Sequence, residues 1–418
     1  MQKIAIMGFG IEGQAMYEFL KMSTSSVDIN SKQEIHVFDD NPDVVVPDGV
    51  VFHHGHTISA EFDIVYKTPG IPSHKMVLEN PETKVSSLTN LFLENIKGKV
   101  IGVTGSKGKS TTASLIHHIL SNAGKKSVLV GNIGTVALMK FSEDSPATWY
   151  VYEMSSFQCE LLNRSPHIAV ITNLYEEHLD HHGSFEKYKE AKWNITKYQN
   201  ISDFLVVPEV LDIETRAKKI VAGEPIVHYR TKLLGDHNQM NIALAKAVAV
   251  IVGVGDDVIA KSVETFKPLE YRLQKIYGHQ GITFYDDSLA TIPEATLAAI
   301  HALGNVDTLI LGGQDRGINL AGFPEALGKT GVQTFITLPE NGPRMVEGIV
   351  GRNVFHAQSM EEAVRLAYQH THLPPAHAGG VQAGGVCLLS NASPSFNLFK
   401  DYKDKSAQYR KWILELNK

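Results

Sequence analysis

Cysteine is nearly absent from this chain: Cys159 and Cys387 are the only two in 418 residues. That scarcity excludes a disulfide framework and a four-cysteine zinc site and fits a reducing compartment; both thiols, set among apolar neighbours, read as small core residues. Long apolar runs are missing too. No stretch approaches the ~18 residues of a membrane span, and residues 1–13 show no basic leader ahead of a long apolar core. A cytoplasmic protein without membrane insertion is expected. Nor is there an excess of positive charge. Lys+Arg 39 against Asp+Glu 45 gives a net charge of −6, which offers no broad field for a nucleic-acid backbone, so any anion must be held by a local site. Short internal repeats are lacking.

What is present is ordinary globular material. Hydrophobic residues make up 43% and charged residues 20%, enough for separate cores, and at roughly 100–200 residues per domain the length suggests about three domains. Apolar runs at 3–7, 34–38 and 63–66 read as strands, each ending in a turn, with a helix at 88–95. After the polar link Lys97-Gly98-Lys99 the pattern restarts. Strands are expected at 100–103, 127–130, 149–154 and 168–172, and helices at 111–122 and 233–252. Lys267-Pro268 interrupts again, before strands at 274–277, 283–285, 308–311, 334–337 and 386–389 and a Pro/Ala/Gly-rich loop at 372–385. Alternating strands and helices imply parallel sheets. The expected fold is α/β in three domains: a Rossmann-like N-terminal domain (1–95), a central P-loop-type ATPase domain (96–267) and a Rossmann-like C-terminal domain (268–418).

The most informative stretch follows the strand at 100–103: Gly105-Ser106-Lys107-Gly108-Lys109-Ser110-Thr111. Glycines let backbone N–H groups approach phosphate oxygens, Lys109 neutralises charge on the outer phosphates, and Ser110 or Thr111 offers a hydroxyl to Mg²⁺ at a helix N-terminus. The spacing departs from the strict Walker pattern because Val103 stands where its first glycine is expected. A second turn, Gly8-x-Gly10-x-x-Gly13, is less specific. It suits a diphosphate, with Asp39 after the next strand reaching a ribose or base, and equally suits tight strand–helix packing without a ligand. An NAD-dependent dehydrogenase is the rival on this turn alone, but such an enzyme has no use for the stronger phosphate loop downstream.

Two further segments lie at strand ends near that loop. Glu153 places a carboxylate where a hard cation wants oxygen donors; an acidic helix cap is the plainer alternative. In Asn173-Leu174-Tyr175-Glu176-Glu177-His178-Leu179-Asp180-His181-His182 the three histidines raise zinc, but the surrounding chemistry is that of phosphate and Mg²⁺. His178 is expected to be functional, and His181 and His182 to lie at the surface. Lys192 reads, on its helical context alone, as one more solvated lysine.

These motifs, taken in order from Gly8 almost to the C-terminus, resemble the Mur ligase family. They run through TGSKGKST, GNIG at 131–134, EMSSFQ at 153–158, NLYEEHLDHH, Ala191-Lys192, DHNQMN at 236–241, Tyr271-Arg272, DDSLAT at 286–291, LGG at 311–313 and LLSNASPSFNLFKDY at 388–402. The resemblance implies an ATP-dependent amide ligase of peptidoglycan-precursor synthesis that joins glutamate, the D-isomer favoured, to UDP-N-acetylmuramoyl-L-alanine through an acyl phosphate. It implies that residues 105–111 hold the ATP phosphates and that Ser110, Glu153, His178 and Lys192 hold two Mg²⁺ ions, Lys192 as a carbamate. Lys109, Glu153, His178 and Lys192 then form the catalytic set. Asn238, Arg272 and Asp287 match nucleotide-clamping positions. Gly10, Ile11, Glu12, Asp39, Pro69, Gly70 and Asn132 match positions near the UDP-sugar, and Thr291, Arg316, Ser395 and Tyr402 match acceptor positions. A monomer whose C-terminal domain closes over the site is expected, because water destroys an acyl phosphate.

The chain departs from the familiar D-glutamate pattern. Leu289 replaces the lysine often found in the loop after Asp287, and Arg316 stands near where another lysine follows the glycine pair, an exchange that changes carboxylate geometry. DDSLATIPEA and GGQDRG look more like the branch that attaches L-glutamate. A folylpolyglutamate-synthase-like ligase shares the ATP core but usually lacks a segment like 1–95, and a catalytically idle nucleotide-binding protein would not need all of Lys109, Glu153, His178 and Lys192.

Overall fold

The computed structural model describes residues 2–24, 33–223, 229–315, 317–372, 385–395 and 398–416. Its first sheet is built from β1 (Gln2–Met7), β2 (Gln33–Asp39), β3 (Val51–His54), β4 (Ile64–Lys67) and β5 (Lys84–Ser87) in the order β3-β2-β1-β4-β5, all parallel. β1 and β4 are apolar over most of their length because both faces are covered. The chain leaves β1 through Gly8, whose N–H donates to the Phe38 carbonyl at 2.7 Å, and enters helix α1 (Ile11–Thr24). The order reverses between β1 and β4, and a crevice opens at their carboxyl ends.

The second sheet contains β6 (Lys99–Thr104), β7 (Ser127–Gly131), β8 (Trp149–Glu153), β9 (Ile168–Ile171), β10 (Phe204–Pro208) and β11 (Lys218–Ala222), ordered β11-β10-β9-β6-β8-β7. It too is wholly parallel. β6 is central and delivers the phosphate loop, after which α2 (Lys109–Asn122) begins. Helix α3 (Phe185–Lys197) starts at Ser184, whose hydroxyl accepts the Lys187 N–H, and buries Tyr188, Ala191, Lys192 and Ile195 on one face. The two sheets share one hydrophobic core, running from Ile4, Met16 and Phe92 to Tyr150, Tyr152 and Val207.

The third sheet is mixed. β12 (Gln274–His279), β13 (Ile282–Asp286), β14 (Val306–Gly313), β15 (Thr334–Glu340), β16 (Asn353–His356) and β17 (Gly385–Leu389) lie in the order β12-β13-β17-β14-β15-β16, with β12 antiparallel at the edge. Helix α5 (Tyr402–Glu415) is reached after helix α4 (Asp236–Ile251) and the intervening elements of this sheet. By compactness the chain forms two units, Met1–Arg230 with Gln239–Phe266, and Thr231–Asn238 with Lys267–Lys418. The first holds two large sheets and a two-stranded one, Thr57–Ile58 with Val77–Leu78, and the second holds the third large sheet.

The α/β class and the parallel sheets agree with the sequence reading; β3, β5, β11 and β16 add short edge and flanking strands, and β10, an apolar and buried strand, adds one more that the reading did not include. Most of the expected loop at 372–385 lies outside the described residues. Both cysteines are free and buried. Among the described residues, no helix is long and apolar enough to cross a membrane.

Candidate active site

At the crevice of the first sheet, Gly10, Asp39 and Gly70 come together around a cavity of about 260 Å³, beside Gly8, His56 and Lys75. Pro69 precedes Gly70 in the same turn. Asp39 has a structural task that its sequence position does not reveal: its carboxylate accepts the Phe9 N–H at 2.7 Å and the Asn41 N–H at 2.9 Å. It thereby pins the glycine turn. Ile11 is exposed at the start of α1, whereas Glu12 turns toward the second sheet and accepts from Gln158 Nε2 at 3.0 Å. Burial raises the Glu12 pKa.

The phosphate loop is held from behind. Lys107 N–H donates to Asn173 Oδ1 at 2.7 Å, and its carbonyl accepts from Thr172 Oγ1 and Asn173 Nδ2. Ser106 Oγ lies 2.7 Å from the Tyr188 hydroxyl and accepts the Tyr175 N–H. Gly108 has φ +81°, and a Cβ there would stand 2.3 Å from Asn241 Oδ1, so only glycine fits this N-cap. Lys107 is drawn sideways into an ion pair with Glu177 at 2.5 Å, while Lys109 Nζ folds over the loop to the Ser106 carbonyl at 2.8 Å. Ser110 and the buried Thr111 open α2 beneath them.

Lys192 is the main departure from expectation by burial. It is 1% exposed, and its Nζ donates to the Gly105 carbonyl at 2.7 Å and reaches Thr104 Oγ1 at 3.4 Å. Burial, with the Lys109 charge nearby, pushes its pKa down to about 7. Glu153 is equally buried. One carboxylate oxygen accepts from Asn132 Nδ2 at 3.2 Å, and the other, Oε2, has no hydrogen-bond partner among the described residues. An orphaned buried carboxylate oxygen beside a phosphate loop is the donor a hard cation would take.

His178 is exposed, in the left-handed region at φ +55°. The expectation that His181 and His182 lie at the surface is corrected: His182 is buried, with Nε2 3.0 Å from Ser156 Oγ, and His181 Nε2 lies 3.7 Å from a Glu160 oxygen. The cause is Phe157, whose ring packs 4.9, 4.1 and 5.5 Å from the rings of His178, His181 and His182. Burial pushes the His182 pKa down to about 4. Among the described residues no group of three or more His, Cys, Asp or Glu side chains is arranged to hold a metal by itself.

In the second unit, Asn238 is buried in the first turn of α4, its Nδ2 on the Leu234 carbonyl at 2.6 Å. Arg272 sits between Tyr271 and Leu273, both with positive φ, a backbone strain that the Tyr271-Arg272 pair does not reveal in the sequence. Asp287 restrains it by accepting the Leu273 N–H at 3.0 Å, and also accepts from Ser390 Oγ. Burial pushes Asp287 up to about 7. Thr291 follows in the same loop, half-buried. Tyr402 opens α5, its ring 5.5 Å from that of Tyr271. Ser395 Oγ and Lys405 Nζ are buried without a hydrogen-bond partner among the described residues; Lys405 carries no motif and could be found only in three dimensions. Arg316 lies outside the described residues.

A glycine-rich phosphate loop at the carboxyl edge of a parallel sheet, backed by a buried lysine and carboxylate, defines a nucleotide-binding α/β protein. Residues 103–225 match the Mur ligase middle domain. The UDP-N-acetylmuramoylalanine–D-glutamate ligase of Koribacter versatilis is 30% identical, covering 99% of this chain and 98% of its own. The UDP-N-acetylmuramoyl-L-alanine–L-glutamate ligase of Salinispora tropica is 33% identical over 97% and 96%. The fold resembles that of the UDP-N-acetylmuramate-alanine ligase of Thermotoga maritima, with a TM-score of 0.61 at 16% identity over 100% of this chain and 99% of that one. The chain belongs to the Mur ligase family, the ATP-dependent amide ligases of peptidoglycan-precursor synthesis.

Proposed function

We propose that this enzyme joins glutamate to UDP-N-acetylmuramoyl-L-alanine at the expense of ATP, in the cytoplasm and as a monomer. The observation that carries the reading is the fully buried Lys192 behind the phosphate loop, with Nζ 2.7 Å from the Gly105 carbonyl, next to a buried Glu153 that lacks a partner for one oxygen. Residues 1–95 take the UDP-sugar, 96–267 take ATP and metal, and 268–418 take glutamate. A carboxylate is a poor acyl donor. The terminal alanine carboxylate therefore attacks the γ-phosphorus of ATP, ADP leaves, and the acyl phosphate so formed is attacked by the glutamate amine, which loses a proton as phosphate departs. Lys109 and the loop amides, between Gly105 and Ser110, stabilise the charge that gathers on the transferred oxygens. Ser110, Glu153, His178 and a carbamylated Lys192 would hold Mg²⁺, which supplies charge neutralisation when bound. Carbamylation adds CO₂ to the neutral Nζ and releases a proton, turning a cation into an oxygen donor.

Asn238, Arg272 and Asp287 hold the nucleotide, and Thr291, Arg316, Ser395 and Tyr402 receive the acceptor. D-glutamate is the first reading for that acceptor, as named for the relative from Koribacter versatilis. L-glutamate is the second, favoured by Leu289 in the loop 286–291 and by the relative from Salinispora tropica. Phosphate release from ATP and UDP-N-acetylmuramoyl-L-alanine, measured with each isomer, tests both; turnover with neither overturns the assignment. Lys192→Ala is expected to abolish turnover, with partial recovery in acetate or bicarbonate. Full activity of that variant would reject the carbamate.

A further inference from the structure

Lys67 ends β4, in which all four residues are buried, and is itself 1% exposed. An ammonium in such a place is costly unless it is paired, and an apolar side chain would complete the strand without that cost. Its Nζ donates to the Ile71 carbonyl at 2.6 Å and to Glu160 Oε2 at 3.3 Å. The two partners stand on different elements. Ile71 belongs to the turn Thr68-Pro69-Gly70-Ile71-Pro72, which forms one wall of the cavity at the glycine turn. The other end of that wall is tied to β1, where the Thr68 N–H and hydroxyl both donate to the Met7 carbonyl, at 2.9 and 3.0 Å. Wall and glycine turn are in close contact: a Cβ on Gly8 would stand 2.1 Å from Thr68 Oγ1 and 3.0 Å from Ile71 Cδ1. Glu160 follows the helical turn Ser156–Cys159, the turn whose Gln158 also holds Glu12 of α1.

We infer that Lys67 is a positioning residue for the sugar nucleotide: through the Ile71 carbonyl it sets the wall of the cavity against the glycine turn, with Glu160, at the end of the turn Ser156–Cys159, as its counter-ion. It touches neither substrate nor reacting atoms. The inference rests on the reading of residues 1–95 as the UDP-sugar site. An apolar residue at this position would keep the strand and release the wall, so the loss should fall on sugar-nucleotide affinity and spare ATP.

The test compares wild type, Lys67→Met and Lys67→Met/Glu160→Gln; the double variant also removes the charge of the half-buried Glu160 that the lysine balances, so it keeps the comparison valid if the single variant is unstable. Binding of UDP-N-acetylmuramoyl-L-alanine is measured by calorimetry, and KM for each substrate and kcat by phosphate release. Losing a charged hydrogen bond to the wall should weaken sugar-nucleotide binding and raise its KM about tenfold or more. The KM for ATP and kcat at saturation should stay within about twofold. Wild-type affinity in the double variant overturns the inference, as does a loss that falls on kcat or on ATP. Absence of binding to the wild-type enzyme rejects the UDP-sugar reading itself and the inference with it.

Discussion

A lysine on an amphipathic helix ordinarily faces water, and nothing in Tyr188-Lys189-Glu190-Ala191-Lys192 sets Lys192 apart from Lys189. In three dimensions Lys192 is buried against the phosphate loop, while Lys189 sits over the Phe185 ring at 5.0 Å. Lys405 is a second case, buried without a hydrogen-bond partner among the described residues. Burial pushes it down to about 7, only partly offset by Asp286 and Asp287. Its folded pKa lies below the ~10.4 of an unfolded lysine, so between those values the unfolded chain holds a proton that the folded chain has lost, and stability rises with pH. Asp287, raised to about 7 by burial, acts in the opposite direction at lower pH: its contribution is lost as pH rises from ~4 to about 7. Lys405→Met, which removes the buried amine, is therefore expected to gain in Tm relative to wild type as pH falls from 10 to 7. Parallel Tm curves over that range would reject the assignment.

At the scale of elements, the glycine turn after β1 shows what a motif conceals. Gly10 and Gly13 are equivalent letters in a GxGxxG pattern. Yet a Cβ on Gly13 would stand 2.1 Å from the Gly8 carbonyl oxygen, while Gly10 has nothing within 4 Å and no positive φ. Gly13→Ala should accordingly cost stability by about 1–3 kcal/mol through overpacking. Gly10→Ala should leave Tm nearly unchanged and weaken only sugar-nucleotide binding, because Gly10 lines the cavity and a methyl group there would occupy ligand space. Thermal melts paired with calorimetry check both, and equal destabilisation by the two substitutions would contradict the geometry. The packing reading of this turn and the diphosphate reading are thus not exclusive: Gly13 serves packing, and Gly10 leaves the cleft open.

At the scale of the whole molecule, Lys97-Gly98-Lys99 reads in the sequence as a polar link where one domain ends and the next begins. It is pinned, the Lys97 and Gly98 N–H groups donating to the Asp144 carboxylate at 2.8 and 3.0 Å, and the sheets on either side of it share a core. The Lys67–Glu160 pair crosses the same boundary. The ligase reading draws residues of both compact units into one reaction, and an acyl phosphate must be shielded from water. Adding UDP-N-acetylmuramoyl-L-alanine together with a non-hydrolysable ATP analogue is expected to reduce the radius of gyration measured by X-ray scattering. An unchanged scattering curve would reject closure.

The sequence by itself determined the α/β class and the two glycine turns, because strands buried on both faces are continuous apolar runs and phosphate loops need glycine at set spacings. The tertiary structure alone decided which polar groups are buried and what they meet. Periodicity assigns Lys192 to a helix but cannot say that its face packs on Gly105, and it cannot show Asp39 engaged by the Phe9 N–H, the three histidines gathered around Phe157, or Lys67 joining a cavity wall to Glu160. Each of these depends on residues distant in the chain. Desolvation and hydrogen bonding are properties of that assembled surrounding, not of the residue that carries the charge.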